Sequence, residues 1–285
     1  MKLSFVILTR NSENYINACI KSILASIPSE IDFDIHVVDN GSTDNTINML
    51  ATWDEVQVIK LPTNRGTTYS RNIALRNCDG DYIVIMDSDI EIVGINWHGI
   101  IETFLSGVGI VAPRLRYPDG IVQHSVKKFP TLHWRLNKLK TIFWGIKTTD
   151  MELYSSLDSV DFPDTAISAF WVLSKNAFDS IGFFDEIIFY SPEDIDYCAR
   201  LWKKGFAIKY YKQANIIHHT QQIARKKPIS LISLSFFVNF IYYFIKHGYF
   251  FNAKQLLTIK SQVLSKHNLK SSTSIPHSID TLKEY

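Results

Sequence analysis

The sequence is poor in cysteine and almost balanced in charge. Of its 285 residues three are cysteines, Cys19, Cys78 and Cys198, and their positions lack the spacing of a metal site. A sparse, odd set argues against a disulfide framework and is typical of a reducing compartment, so we expect a cytoplasmic protein. The formal net charge of +2 provides no general attraction to nucleic acid, and no nucleic-acid partner is expected.

Several common motifs are also missing. Residues 1–9 do not combine a charged region, a long apolar stretch and a small-residue cleavage site, so no secretion signal is expected. There is no Gly-x-x-x-x-Gly-Lys phosphate loop, and no Gly-x-Gly-x-x-Gly follows the first apolar run. These absences argue against the commonest ATPases and nicotinamide-dependent enzymes.

The first hundred residues alternate between short apolar runs and helix-like segments. The runs that predict buried strands are 3–8, 35–38, 56–61 and 82–86. The predicted helices begin after caps at Ser12 and at Ser42 or Thr43, and a third covers 70–76. This alternation predicts an α/β domain with a largely parallel sheet.

The second half of the chain is less regular. Its predicted strands are 110–112, 165–173, 207–211 and 215–217, and its predicted helices are 175–180 and 193–204. From about 127 to 161 no period dominates, which predicts a long loop with helical pieces. The Pro-Asp-Gly within 117–120 predicts a turn.

Polar clusters follow three of the predicted strands. They are Thr9-Arg10-Asn11, Asp39-Asn40-Gly41 and Asp87-Ser88-Asp89. Ligands of open parallel sheets bind beyond the carboxyl ends of the strands, so we expect these clusters to converge on one edge. For Asp39 a plain turn is an equal alternative, because Asp-Asn-Gly is good turn chemistry.

Two groups of side chains could bind a metal ion. Asp87 and Asp89 could hold a divalent cation, or could simply belong to a solvated loop. His218 and His219 follow a short strand, as metal ligands or as a polar strand end.

Glu193, Asp194 and Asp196 begin a predicted helix, where the helix dipole favours carboxylates for structural reasons alone. The functional alternative is that one of them accepts a proton from an acceptor hydroxyl.

Together these segments resemble glycosyltransferase family 2, the inverting enzymes of the GT-A fold. The resemblance covers 3–220 and is carried by 5–11, 37–44, 64–66 with 70–72, 80–82 with 87–89, 182–186 and 193–196. Residues 118–131 are similar to the branch that contains bacterial rhamnosyltransferases. The resemblance implies a GT-A, Rossmann-like nucleotide-diphospho-sugar transferase fold. It divides 1–222 into a nucleotide-binding half, 1–110, and an acceptor-binding half, 111–222, followed by a C-terminal helical extension, 223–285.

The resemblance also implies roles for individual residues. The implied donor contacts are Thr9, Arg10, Asn11, Asp39, Asn40, Arg71, Asp87 and Ser88. The implied ligands of a Mn²⁺ or Mg²⁺ ion are Asp89, Asp87 and His218, with the register between His218 and His219 left open. The implied general base is Asp194, and the implied sugar or acceptor contacts are Glu193, Ser168 and Ala169. Ser168 departs from the glycine usual in relatives, and we expect its side chain to narrow the sugar pocket.

The expected reaction is inverting transfer from a nucleotide-diphosphate donor, with dTDP-rhamnose as first choice, to a hydroxyl of a glycan or lipid-linked glycan in bacterial surface polysaccharide synthesis. A UDP-hexose or UDP-N-acetylhexosamine transferase is the alternative within the class. A haloacid-dehalogenase-type phosphatase also uses Asp-x-Asp, but Glu91 and the fourth-strand position argue against it. A non-catalytic binding protein would not need both Asp89 and Asp194.

The composition becomes strongly apolar and aromatic over 229–245, after Arg225-Lys226-Lys227. Such a segment is typical of a helix at a membrane surface, which predicts peripheral contact through 225–251 on the inner face of the cell membrane. A core-packed helix, a contact within a homo-oligomer and a short spanning helix are the alternatives. The tail from 271 is predicted to be poorly ordered.

Overall fold

The computed structural model describes residues 1–137, 152–220 and 231–270. Its centre is an eight-stranded sheet in the order β3-β2-β1-β4-β9-β6-β10-β5, and β7 and β8 form a separate pair. The strands are β1 Lys2–Thr9, β2 Asp32–Asp39, β3 Val56–Lys60, β4 Tyr82–Asp87, β5 Ile90–Gly94, β6 Val108–Arg116, β7 Val126–Lys127, β8 Thr165–Ala166, β9 Phe170–Ser174 and β10 Ala207–His218.

Helices cover the sheet. They are α1 Ile16–Ser26, α2 Thr46–Leu50, α3 Thr67–Leu75, α4 Trp97–Glu102 with a 3₁₀ turn at Thr103–Ser106, α5 Lys175–Ile181, α6 Glu193–Lys203, α7 Leu231–His247 and α8 Lys254–Lys266. Residues 132–137 are also helical.

The predicted parallel arrangement holds for the first four strands and not for the rest. β3, β2, β1 and β4 are parallel neighbours, and residues 83–86 of β4 are all buried, as in a strand covered on both faces. β9 then lies antiparallel between β4 and β6, and β5 pairs antiparallel with β10 at the far edge. The short apolar run at β5 was not predicted.

Two predicted helix caps are wrong. α1 begins at Ile16, and the Ser12 hydroxyl bonds to the Ser88 hydroxyl at 2.7 Å instead. α2 begins at Thr46, while the Ser42 hydroxyl donates to Asp39. These hydroxyls are used across the loops at the strand ends, so the helices begin later than capping chemistry alone suggests.

Two strand predictions needed revision. The run 165–173 is two strands, because β8 pairs with β7 whereas β9 pairs with β4 and β6. The runs 207–211 and 215–217 are one strand, β10, whose register shifts between Tyr211 and Ile216. A bulge of this kind bends a strand without ending it. The turn at 117–120 is present, with Gly120 N–H donating to Tyr117 O at 2.9 Å.

The C-terminal helices pack on the rest of the chain. Tyr243 and Phe244 of α7 are fully buried in the main hydrophobic core, which also includes Leu256 and Val263 of α8. Val238 and Ile245, two turns apart on the outer face of α7, are exposed. The core-packed alternative therefore holds for one face of this helix. Among the helices of the described ranges, none has the length and apolarity to cross a bilayer.

Some predictions fall outside the described residues. These are the predicted domain boundary at 222/223, Arg225-Lys226-Lys227, the start of the apolar segment at 229–230, the tail from 271, and residues 138–151 of the predicted loop. Cys19, Cys78 and Cys198 are free thiols.

Candidate active site

Three strand ends meet at one edge of the sheet. Thr9 at the end of β1 pairs with Asp39 at the end of β2, and Leu8 pairs with Asp87 at the end of β4. Because these strands are parallel, their carboxyl ends open onto the same crevice. The structure therefore brings the three predicted polar clusters together.

Thr9 and Asp39 are buried at the ends of β1 and β2. Asp39 accepts hydrogen bonds from the Ser42 backbone N–H at 3.1 Å and from the Ser42 hydroxyl. Thr9 Oγ1 has no hydrogen-bond partner within the described part of the chain. A buried hydroxyl without a hydrogen bond costs free energy. A polar ligand in this crevice that bonded to Thr9 Oγ1 would remove that cost and would bind more tightly for it.

The residues that follow Thr9 and Asp39 shape the surrounding loops. Asn11 has a left-handed backbone, with φ 51°, and its side-chain oxygen accepts from Thr43 N–H at 2.8 Å. The Asn40 amide donates to Asn64 Oδ1 at 2.8 Å. Arg10 is exposed. These bonds give Asn11 and Asn40 a role in holding loops, and the donor contacts predicted for all three residues stay predictions.

Arg71 on α3 connects the two sides of the site. It is 2 % exposed. Its Nη2 donates to Asp87 Oδ1 at 2.7 Å, and its Nη1 donates to Ser168 Oγ at 2.6 Å and lies 3.5 Å from Glu193 Oε1. A buried guanidinium requires such acceptors, because an unpaired buried charge is costly. One cation thus joins β4, the turn before β9 and the start of α6.

Ser168 and Ala169 line the turn before β9. Besides its hydroxyl, the Ser168 carbonyl accepts from Arg71 Nη2 at 3.2 Å, and the Ala169 carbonyl accepts from Asp87 N–H at 3.0 Å. The extra hydroxyl that distinguishes Ser168 from glycine is therefore bonded to the guanidinium. This contact adds a second explanation for Ser168 beside the predicted narrowing of the sugar pocket.

Asp87, Asp89 and His218 form a cluster in which each offers one ligand atom within 4.8 Å of the others. They meet because His218 pairs with Ile90 across β10 and β5, which places its Nε2 3.4 Å from Asp89 Oδ1. Burial raises the pKa of Asp87, although Arg71 opposes it. Burial lowers the pKa of His218, but the Asp89 carboxylate outweighs burial and raises it. The two carboxylates are the kind of ligand that Mn²⁺ and Mg²⁺ prefer.

The second histidine lies on the other side of the strand. His219 Nε2 is 3.1 Å from Glu91 Oε2, and its ring packs on Tyr15. His218 Nδ1 is 2.9 Å from Gln123 Oε1, a contact that favours a proton on Nδ1, and Nε2 faces the carboxylates. The geometry therefore favours His218 over His219 as a ligand. Gln123 was not predicted, and in a single sequence nothing distinguishes it from other polar loop residues.

Ser88, between the two aspartates, points toward the first strand. Its hydroxyl bonds to Ser12, and its backbone N–H donates to Leu8 O at 3.2 Å. It is buried. Ser88 therefore fixes the turn that carries Asp87 and Asp89, and its predicted donor contact stays a prediction.

Two carboxylates at the start of α6 belong to the same site. Glu193 is buried beside Arg71, and Asp194 is partly buried, with its Oδ1 accepting from Ile195 N–H at 2.7 Å. Burial raises the pKa of both carboxyls, and the charge of Asp194 raises that of Glu193 further. A carboxylate with a raised pKa is a stronger base, provided that it is ionised at the working pH.

Asp196 lies on the opposite side of α6. It is fully buried and accepts from Arg200 Nε at 2.9 Å and from His247 Nε2 at 2.9 Å, with Lys246 Nζ at 2.7 Å. Burial alone would raise its pKa, but these donors hold the pKa well below its usual range. As the helical spacing predicts, Asp196 and Asp194 do not share one environment.

Tyr190 is a further residue of this region that the sequence did not single out. Burial raises its pKa to about 12, with contributions from Asp87 and Glu193. Its backbone carbonyl accepts a hydrogen bond from the Thr67 hydroxyl at 3.1 Å, which ties Tyr190 to the start of α3. An aromatic residue three positions before Glu193 could have been noticed in the sequence, but its orientation could not.

The family model for glycosyl transferase family 2 matches residues 4–156, more than half of the chain. Among curated proteins, the N-acetylglucosaminyl-diphospho-decaprenol L-rhamnosyltransferase of Mycobacterium tuberculosis is 26% identical over 276 residues, which cover 89% of this chain and 88% of that protein. The pre-mycofactocin glycosyltransferase of the same organism is 29% identical over 203 residues, covering 67% and 39% of the two chains.

Solved structures share the fold at lower identity. The crystal structure of S. aureus TarS 1–349 in complex with UDP has a TM-score of 0.57 at 19% identity, covering 96% of this chain and 74% of that one. GalNAc-T7 with UDP, GalNAc and Mn²⁺ has a TM-score of 0.62 at 14% identity, covering 95% and 55%. Both are GT-A glycosyltransferases, and the expected fold class is confirmed.

Proposed function

The chain belongs to glycosyltransferase family 2, and from this premise we propose that it is an inverting enzyme of bacterial surface polysaccharide synthesis. It transfers a sugar from a nucleotide-diphosphate donor to a hydroxyl of a glycan or lipid-linked glycan. The observation that carries this proposal is the pair of contacts made by Arg71, to Asp87 of the cation cluster and to Glu193 beside Asp194. A donor diphosphate and an acceptor hydroxyl would meet at such a junction. The phosphatase alternative is wrong for a member of this family.

On the donor side, Thr9 and Asp39 would hold the base and ribose. Asp39 has acceptor capacity beyond its two bonds from Ser42, because a carboxylate has about four lone-pair sites. It would accept a hydrogen bond from the pyrimidine ring N–H. Arg71 would lie near the diphosphate, where its charge favours the phosphates.

Asp89, with Asp87 and His218, would hold Mn²⁺ or Mg²⁺. The cluster fits such an ion, because its three ligand atoms converge and Gln123 leaves His218 Nε2 turned toward the carboxylates. When bound, such an ion would neutralise negative charge on the leaving phosphates. The structures of GalNAc-T7 and of a Pyrobaculum calidifontis mannosyltransferase both contain Mn²⁺, which supports Mn²⁺ as the first ion to test.

On the acceptor side, Asp194 would take the proton from the attacking hydroxyl. The acceptor oxygen forms a bond to the anomeric carbon while the bond from that carbon to the phosphate oxygen breaks, and the nucleoside diphosphate leaves. One base is sufficient, because no covalent intermediate needs a second carboxylate. Glu193, Ser168 and Ala169 would contact the sugar or the acceptor.

For the donor we propose dTDP-rhamnose. The support is the 26% identical relative, which by its name transfers L-rhamnose to N-acetylglucosaminyl-diphospho-decaprenol. A UDP-hexose or UDP-N-acetylhexosamine donor is the second candidate, and a structural neighbour with UDP-GlcNAc shares only the fold at 19% identity.

We also propose peripheral membrane contact through 225–251, as suits a lipid-linked acceptor. Val238, Ile245 and Phe251 expose 56%, 64% and 72% of their surface. Val238 and Ile245 share one face of α7, and Phe251 lies beyond the end of that helix. Large apolar side chains exposed together on a helix face are typical of a membrane or partner contact.

The direct test is a transfer assay with a donor panel. We incubate the protein with Mn²⁺, the acceptor N-acetylglucosaminyl-diphospho-decaprenol and one donor, which is dTDP-rhamnose, UDP-glucose or UDP-GlcNAc. Mass spectrometry then measures the molecular mass of the lipid product. We expect one rhamnosyl addition that requires the metal. Transfer from a UDP-sugar instead would show that the proposed donor, dTDP-rhamnose, is wrong. Release of free phosphate without sugar transfer would contradict the proposed function.

A further inference from the structure

The C-terminal helix α7 holds both ends of the segment that carries Glu193 and Asp194. This segment, 186–195, lies between Asp185 and Asp196. Lys246 Nζ lies 2.6 Å from Asp185 Oδ2 and 2.7 Å from Asp196 Oδ1. A single cation from a distant part of the chain therefore joins the two carboxylates that bracket the segment.

Two neighbours on α7 strengthen these contacts. The Tyr242 hydroxyl donates to Asp185 Oδ2 at 2.8 Å, and it lies on the same face as Lys246 because the two are four residues apart. His247 Nε2 lies 2.9 Å from Asp196 Oδ1, and both of those side chains are 1 % exposed. Charged hydrogen bonds in such a buried setting are stronger than at the surface.

The inner side of the segment is held by α3, the helix that carries Arg71. The Thr68 hydroxyl donates to Ile188 O at 2.7 Å, and the Thr67 N–H donates to Phe189 O at 2.8 Å. Gly66 allows this approach, because a Cβ there would lie 2.3 Å from Phe189 O. The donor side therefore fixes the middle of the segment, and α7 fixes its ends.

We propose that Lys246 is a positioning residue for glycosyl transfer. By tying Asp185 to Asp196 it sets the path of 186–195, and with it the direction in which Asp194 meets the acceptor hydroxyl. The inference rests on the proposed role of Asp194 as base. A base works only within hydrogen-bond reach of its proton, and a displacement of about 1 Å costs about 10²-fold in rate.

Removing Lys246 leaves each carboxylate with other partners. Asp185 keeps Tyr242, and Asp196 keeps Arg200 and His247. Because neither carboxylate is left without a partner, Lys246→Met is expected to fold. The change acts on the path of the segment, whereas a purely structural role would lower only the free energy of unfolding.

The test compares the full-length protein with Lys246→Met, Lys246→Arg and the control Lys254→Met, an exposed lysine on α8. The first readout is hydrogen–deuterium exchange over 186–195. We expect exchange there to be several-fold faster in Lys246→Met, unchanged over β1 to β4, and close to wild type in Lys246→Arg and Lys254→Met. Tyr242→Phe, which removes one hydrogen bond, is the milder variant should Lys246→Met fail to fold.

The second readout is the transfer assay with dTDP-rhamnose and N-acetylglucosaminyl-diphospho-decaprenol. We expect Lys246→Met to lower kcat by about 10–100-fold with the donor KM nearly unchanged, and Lys246→Arg to restore most of the activity. Unchanged exchange over 186–195 in the folded variant would overturn the inference, as would wild-type kcat. If the wild-type protein transfers no sugar, the proposed function fails, and exchange still decides whether Lys246 holds the segment.

Discussion

His218 Nε2 lies 3.4 Å from Asp89 Oδ1, although the two residues are far apart in the sequence. Sheet register produces this contact, since β10 runs antiparallel to β5 with His218 opposite Ile90. Gln123 fixes the other nitrogen of the ring. The candidate cation site is therefore built on strand ends, which hold its geometry better than a mobile loop would.

The first prediction concerns this cation site. Asp89→Ala should abolish turnover and remove the Mn²⁺-dependent part of dTDP affinity, because it removes the main proposed ligand. His218→Ala should weaken the same affinity. His219→Ala should leave it unchanged, because the His219 ring contacts Glu91 and not the cation cluster. Isothermal titration calorimetry with and without Mn²⁺ measures this. A folded Asp89→Ala variant with unchanged metal-dependent affinity would refute the assignment.

The second prediction concerns Ser168. Ser168→Ala keeps the Cβ and removes the acceptor of Arg71 Nη1, so it should lower the free energy of unfolding by about 1–3 kcal/mol and raise the donor KM. Urea denaturation and steady-state kinetics measure these effects. Ser168→Gly removes the whole side chain and so tests whether Ser168 acts by narrowing the sugar pocket. If the alanine variant behaves as wild type while the glycine variant accepts larger donor sugars, Ser168 acts by narrowing the pocket and not through Arg71.

A third prediction follows from His247. Burial lowers its pKa below the ordinary value, although Asp196 opposes this. The unfolded chain therefore binds a proton at higher pH than the folded one, so the contribution of neutral His247 is present above the unfolded pKa and is lost as pH falls below it. Urea unfolding measures the free energy of unfolding at pH 7.5 and at pH 5.5. The decrease between these two values should be smaller for His247→Gln than for wild type. Exposed His98→Gln is the control, and an equal loss in all three proteins would contradict this.

The fourth prediction tests the membrane contact. Replacing Val238 and Ile245 by serine removes apolar area from the exposed face of α7, so binding to phosphatidylglycerol vesicles should weaken by about 10-fold or more. Co-sedimentation at low salt measures it. Val93→Ser, at an exposed position of β5, is the control. Active wild-type protein that stays in the supernatant would rule the contact out.

Much of the first hundred residues could be predicted from the sequence. The centre of β1, the second half of β2 and the centre of β4 are buried without a break, so each appears as a continuous run, and parallel strands place Thr9, Asp39 and Asp87 at one edge by topology alone. The opposed directions of Asp194 and Asp196 followed from helical spacing.

The remaining features depend on contacts between distant residues, which a single sequence does not display. Gln123 reaches His218 only after β6 and β10 have paired, and Lys246 reaches Asp196 only after α7 has packed on α6. The caps expected at Ser12 and Ser42 failed for the same reason, because tertiary partners compete for those hydroxyls.

The most direct test of the account is kcat, measured beside donor affinity, for Asp194→Asn and Glu193→Gln. Asp194→Asn keeps the shape of the side chain and removes its basicity. It should lower kcat by about 10²–10⁴-fold while dTDP and Mn²⁺ still bind, and Glu193→Gln should retain more activity. Burial raises the pKa of Asp194, so wild-type kcat should decline with falling pH through a value above that of an ordinary aspartate. Near-normal kcat in Asp194→Asn, with activity lost in Glu193→Gln, would contradict the account and move the base to Glu193.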